Sequence, residues 1–304
     1  MIPDRFDKLS SILKIQLQSF PEHENYLKRR FSGEMLEQLE FCEFVAGMIF
    51  ALTKDDIKTF CDDYAWLSRM VIDEEVHFRR HSRYRLSSFA EAFEQVYSNN
   101  PFMTKYMNGL LMTQLWWRNH TEVLRFFRDS FLAGGGKDRD CVEIGPGHGL
   151  LLGMTVASDG CRSAEGWDIS EASLANTSKA LADLGVDLTK VTMREVNLFN
   201  APEMQFDRIV FSEVLEHLEE PQAALQALFK ICRPGGRIFV HAPVNSPAPD
   251  HLYLFRTPEE VVDMVSSVGF EILDTRFEPC TGASLARARK LDLTISAAVV
   301  ARRS

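Results

Sequence analysis

Val142-Glu143-Ile144-Gly145-Pro146-Gly147-His148-Gly149 begins as a buried strand and breaks into three glycines at alternate positions. Gly145 and Gly147 let the main chain turn tightly and approach a ligand with no Cβ in the way. The amides at the start of the following helix favour a negative group. A plain strand–helix turn is the alternative, because a lone glycine cluster is weak evidence of a ligand. The flanking sequence decides between them. After this stretch, short β-type runs (CVEI, RSAEGW, VTMREV, FDRIVF, GRIFVH) alternate with helix-like segments near Leu150–Ala157, Glu171–Leu184, Pro221–Cys232 and Pro258–Val268. That alternation predicts a parallel sheet with helices on both faces. The end differs: FEILDTRFEP and LDLTISAAVVARR read as two strands with no obvious helix between them, which suits a closing hairpin.

Before the glycine stretch the pattern is helical. Apolar residues recur at helical spacing through Met35, Leu36, Leu39 and the run Phe41 to Ile49, then at Phe60, Tyr64, Leu67 and Val71. Asn99-Asn100-Pro101 punctuates the region, and a further helix is expected from about Met103 to Phe127. The expected division is a helical cap over residues 1–130 and a sheet domain over 131–304, joined at Gly134-Gly135-Gly136 as a flexible link. The predicted fold class is α/β: a doubly wound, mostly parallel seven-stranded sheet with a reversed last strand, behind an all-helical N-terminal domain.

Composition narrows the function. The chain has 304 residues, enough for two modest cores, and a net charge of −9 that argues against wholesale nucleic-acid binding. Six scattered cysteines with no CxxC pair indicate a reduced, cytoplasmic protein without a structural zinc site. The start lacks a signal peptide's apolar core, and the longest apolar run, Phe44 to Leu52, is too short to span a bilayer.

In an open α/β sheet the ligand sits beyond the carboxyl ends of the strands. About twenty residues past the glycines, the second strand ends in Gly166-Trp167-Asp168, and an acid there can accept from both ribose hydroxyls. The ligand is therefore read as a nucleoside. A dinucleotide fingerprint wants glycine or alanine where Leu150 stands, which counts against a nicotinamide oxidoreductase. Glu143-Ile144-Gly145-Pro146-Gly147-His148-Gly149 resembles the first motif of the class I S-adenosylmethionine-dependent methyltransferases. Asp168 matches that family's ribose acid, Asn197 its adenine position (more often Asp), and FDRIVFSEVLEHLEEP its fourth-strand motif. ICRPGGRIFVHAP and HLYLFRTPEEVVDMVSSVGFEI resemble the stretches that follow, so the likeness covers about residues 115 to 304.

The resemblance implies S-adenosylmethionine as cofactor, held by Glu143, Gly145, Gly147, Asp168, Ile169, Asn197, Leu198, Ser212 and Glu213. It implies methyl transfer to an oxygen, carboxylate or hydroxyl, of a small molecule or peptide in specialised (natural-product) metabolism. Nitrogen or carbon acceptors stay open, as does a non-catalytic cofactor-binding regulator, and a homodimer is left open. A hydroxyl acceptor needs a base and a carboxylate does not. His241 and His217 are the candidate bases; Trp117, Arg118, His251 and Arg256 are the candidate acceptor contacts, and Tyr106 and Trp116 could also face the sulfonium. Arg118 and Arg256 beside the inferred pocket lean the reading towards a carboxylate. Glu74, His77 and His81 make an ExxH step without a second one elsewhere, so a solvated face is preferred there and no metal is expected. The basic run on to Arg83 and Arg85 reads either as an ordinary charged helix or as a docking patch for an acidic partner.

Overall fold

The computed structural model describes residues 2–3, 5–133 and 136–304. Gly134 and Gly135 of the expected link lie outside the described residues. The first region is helical: α1 (Asp7–Ser19), α2 (Glu24–Phe31), α3 (Leu36–Thr53), α4 (Ile57–His81), α5 (Phe89–Ala92), α6 (Asn100–Trp116) and α7 (Arg118–Phe126). Side-chain caps begin several of these and later helices. Ser88 and Glu91 form a reciprocal capping box at α5, and Asn99 accepts from the Phe102 amide at α6.

The single helix expected from Met103 to Phe127 is instead two. Trp117 is extended (ψ 116°), and the Arg118 amide donates to the Thr281 hydroxyl at 2.9 Å, which starts α7 afresh. The break has a packing reason. It sends fully buried Trp116 into the helical core, where its indole N–H donates to Gln16 at 2.9 Å. It also lays α7 on the sheet, where Asn119 donates to Ser296.

The sheet has seven strands in the order β3-β2-β1-β4-β5-β7-β6. They are β1 (Arg139–Ile144), β2 (Cys161–Asp168), β3 (Val191–Glu195), β4 (Phe206–Ser212), β5 (Cys232–Val244), β6 (Phe270–Pro279) and β7 (Ile295–Arg303). The first five are parallel and β7 runs antiparallel between β5 and β6, as expected of a reversed last strand. Helices α8 (Leu150–Ala157), α9 (Glu171–Asp183), α10 (Pro221–Ile231) and α11 (Pro258–Ser267) join the strands. The closing pair is not a bare hairpin, because α12 (Leu285–Lys290) lies between β6 and β7. Ser284 caps it and Ala288 is its one buried residue; six residues are too few to show a helical period.

One apolar cluster runs from Leu9, Ile49 and Trp116 through Phe127 and Phe131 to Leu150, Val210, Phe239 and Val300. The helical region therefore shares its core with one face of the sheet. The expected division near residue 130 falls inside the turn Phe127–Leu132, whose Phe127 and Phe131 rings meet Phe239 of β5 at 5.0 and 5.7 Å.

Candidate active site

Three strand ends build the cofactor side. At the end of β1, Glu143 is buried with one carboxyl oxygen unbonded, and burial raises its pKa well above the ordinary carboxylate range. The next residues turn through left-handed conformations at Gly145 (φ +67°), Gly147 (φ +51°) and Gly149 (φ +76°). A Cβ on Gly145 would lie 3.0 Å from Val214, and one on Gly147 would lie 3.5 Å from Met107 of α6. So α6 lies over the glycine loop; space is tight at Gly145, and the positive φ disfavours a side chain at either glycine. Gly145→Ala is expected to weaken cofactor binding at least tenfold, since it adds left-handed strain of roughly 1–2 kcal/mol to that contact. Calorimetry with S-adenosylhomocysteine checks this; an unchanged affinity would show that the loop does not hold the ligand.

At the end of β2, Asp168 is partly buried, and its Oδ1 accepts from the Ser170 amide at 2.9 Å. Burial raises its pKa, partly offset by the Ser170 and Ile169 amides. Ile169 stands exposed beside it. Asn197 uses its side-chain oxygen to cap the turn at Phe199, 3.0 Å away, and Leu198 is buried behind it.

The ends of β4 and β5 carry the chemistry side. Ser212 pairs with His241 in the parallel register, and their side chains meet at 3.1 Å through Nδ1. Glu213 follows in a left-handed conformation (φ +55°), which turns its carboxyl back to within 3.1 Å of His241 Nε2 without hydrogen-bond alignment. Both nitrogens of His241 thus face protein groups. Burial, helped by nearby His120, lowers its pKa to about 3. Burial also raises the Glu213 pKa, helped by Asp250.

Past Glu213, the turn Leu215–His217 presents Glu216 and His217, and the loop after β5 brings Asp250 and His251 against them. The helical region closes over this cluster with three tyrosines. Tyr106 donates to Asp250 at 2.9 Å and Tyr97 to its other oxygen at 3.4 Å. The Tyr84 hydroxyl accepts from the Ser246 amide at 3.1 Å.

Several expected contacts lie elsewhere. Arg118 pairs with Glu34 on the helical region at 3.3 Å. Arg256 is exposed and donates to the Ser82 carbonyl at the end of α4. Trp116 is sealed in the helical core and does not face the cofactor side. Trp117 commits its indole N–H to Tyr64 and meets His120 edge-on at 5.0 Å. Tyr106 points to Asp250. On α4, the buried Glu74 is held by Arg85, Arg79 pairs with Glu75, and His81 bonds the carbonyl of His77. Sequence reasoning missed Glu216, Asp250, Tyr84 and Tyr97. Glu216 precedes His217 in the chain and was within reach; the others converge from residues 84 to 250, and no local spacing reports that. A cleft lined by Phe44, Arg128, Arg139 and Cys161 lies at the amino-terminal ends of β1 and β2, the wrong end of the sheet for a nucleoside.

The strand order, the glycine loop at the end of β1 and the acid at the end of β2 define a class I, Rossmann-like methyltransferase domain. Residues 142–238 match the family model for the methyltransferase domain. A Mycolicibacterium smegmatis protein described as a probable S-adenosylmethionine-dependent methyltransferase is 30% identical over 175 residues, covering 55% of this chain and 63% of that protein. A ubiquinone biosynthesis O-methyltransferase of Neisseria meningitidis is 26% identical over 157 residues, covering 44% of this chain and 65% of that one. The solved structure of a candidate methyltransferase from Bacillus halodurans superposes with a TM-score of 0.50 at 10% identity, over 60% of this chain and 99% of its own. The chain spans less than two thirds of the length of these two curated relatives. Among the described residues, no helix is long and apolar enough to cross a membrane.

The residues fit S-adenosylmethionine. Glu143 offers a buried carboxyl oxygen without a partner among the described residues beside the glycine loop, where the cofactor's ammonium would donate to it. Asp168 stands where a ribose would be held.

Proposed function

We propose that this chain transfers the methyl group of S-adenosylmethionine to an oxygen of a small-molecule acceptor, and that this oxygen is a hydroxyl. One observation carries the choice. The cluster at the carboxyl ends of β4 and β5 is acidic, and the basic side chains within reach of Glu213, Glu216 and Asp250 among the described residues are the imidazoles His241 and His217, with no arginine or lysine. A carboxylate brought there would meet carboxyl groups and no guanidinium to pair with, since the arginines expected to receive it, Arg118 and Arg256, are engaged elsewhere. A hydroxyl instead finds a proton acceptor in Glu213, whose unbonded Oε1 is more basic than an ordinary carboxylate.

When bound, the cofactor supplies a methyl group already activated on a sulfonium. The protein's part is to hold and enclose. Asp168 takes the ribose and Glu143 the ammonium; α6 covers the glycine loop and excludes water. His241 positions Glu213 and Ser212 and is not itself the base, since both of its nitrogens face protein groups. The relatives that are ubiquinone biosynthesis O-methyltransferases are consistent with a hydroxyl acceptor. A helical cover built over one acceptor cluster suits a dedicated substrate of specialised metabolism.

Methyl-labelled cofactor and a panel of phenols, alcohols, carboxylic acids and amines test the reading. Label is expected in a hydroxyl acceptor. Label confined to carboxylic acids, amines or carbon acceptors would overturn it, and cofactor binding without transfer to any of them would point to a regulatory protein. His241→Ala is expected to lower turnover about a hundredfold by misplacing Glu213. The neutral imidazole persists down to about pH 3, so the wild-type rate should show no acidic limb near pH 6 from His241. Rates of both proteins between pH 5 and 9 check this; a limb near pH 6 that vanishes in the variant would restore His241 as the base.

A further inference from the structure

We propose that Glu216, His217 and His251 bind a divalent first-row metal ion beside the acceptor position. One ligand atom from each of the three lies within 4.8 Å of the others. Two features show that these atoms are prepared for an ion. The first is the tautomer of each imidazole. His217 Nδ1 lies 3.0 Å from the Asp250 carbonyl, and His251 Nδ1 lies 2.7 Å from the Ser246 carbonyl. A carbonyl can only accept, and the Tyr97 hydroxyl 3.2 Å from His217 Nδ1 gives its own proton to Asp250, so each Nδ1 carries the proton and each Nε2 keeps a lone pair. Ligating histidines are held in this way, by a partner on the second nitrogen. The second is Glu216. It is fully buried, and neither carboxyl oxygen has a hydrogen-bond partner among the described residues. An unbonded buried carboxyl is costly, and a cation removes that cost.

The spacing suits an ion. Glu216 Oε1 lies 3.6 Å from His217 Nε2. Ligand distances of about 2.0–2.2 Å put neighbouring donors about 3.4 Å apart around a tetrahedral centre. The donor loops are also locked together. The amides of Leu252 and Tyr253 donate to the Glu216 carbonyl at 2.8 and 2.9 Å, which ties the His251 loop to the turn carrying the other two donors. Tyr97 and Tyr106 hold Asp250, and Tyr84 holds Ser246, the two residues whose carbonyls orient the histidines. The helical region thus supports the site from behind.

Two imidazoles and one carboxylate suit Mn²⁺, Fe²⁺, Co²⁺ or Zn²⁺, and leave coordination positions for an oxygen ligand. This inference rests on the methyl-transfer reading only for its consequence: a hydroxyl bound to the ion would ionise more readily. Binding itself is tested without turnover. The full chain, dialysed against chelator, is titrated with Co²⁺ and followed by calorimetry and visible absorption. One ion per chain is expected, with affinity at least tenfold weaker in both His251→Gln and Glu216→Gln. Circular-dichroism melts and S-adenosylhomocysteine calorimetry accompany each variant; if Glu216→Gln fails to fold, His251→Gln decides. No stoichiometric Co²⁺ binding, or folded variants that bind as well as wild type, would overturn the site. Cofactor binding with no Co²⁺ binding removes the metal and leaves the methyl-transfer reading intact. Co²⁺ binding with no cofactor binding does the reverse.

Discussion

Phe239→Ala should lower the free energy of unfolding by about 3–5 kcal/mol, the usual cost of emptying a buried aromatic site. Phe239 is fully buried on β5 and receives Phe127 and Phe131 from the turn that ends the helical region. Its loss removes one of the main aromatic contacts through which the helices dock on the sheet, so the two regions should also separate in stability. Calorimetry should show the main transition lower by roughly 10 °C, at about 2–4 °C per kcal/mol for a chain of this size class. A second, earlier transition from the helical region is the expected accompaniment. A change under about 1 kcal/mol would mean that the helices are held by other contacts and that this face of the sheet tolerates a void.

Asp168→Ala should weaken S-adenosylmethionine binding by about a hundredfold or more. Two ribose hydroxyls donating to one carboxylate are worth about 1.5–3 kcal/mol each as bonds to a charged group, and the alanine forfeits both. The fold should survive, because among the described residues the Asp168 side chain bonds the adjoining turn at Ser170 and Ile169. Calorimetry with the cofactor measures the loss, and a melt of the variant separates it from unfolding. An unchanged dissociation constant would show that the ribose lies elsewhere and would remove the anchor from the cofactor pose.

Much of the sheet domain was legible because its signals are local. The alternation of CVEI, RSAEGW and FDRIVF with helical segments reports a parallel sheet through backbone periodicity alone. Gly145 and Gly147 report themselves because φ near +60° is accessible to glycine and costly for other residues. The offset from those glycines also places Asp168 at the end of the second strand. The short helix α12 escaped because six residues hold less than two helical turns, and the break at Trp117 escaped because it is made by Thr281 and Tyr64, far away in sequence.

The acceptor side shows the limit of local signals most clearly. Arg118 and Arg256 had the right chemistry for a carboxylate, but Glu34 and the Ser82 carbonyl claim them in the folded chain. His217 and His251 were visible as histidines near strand ends. Their shared target, Glu216, and the tyrosines that brace them become neighbours only when the helical region folds over the ends of β4 and β5. The sequence by itself determined the sheet, its reversed last strand and the glycine turn after β1, because each depends on residues close together in the chain and on backbone geometry. The tertiary structure alone decided which side chains converge beyond the ends of β4 and β5, because that cluster joins residues 84, 97 and 106 to 216, 217, 250 and 251, and chain periodicity carries no record of a contact across such separations.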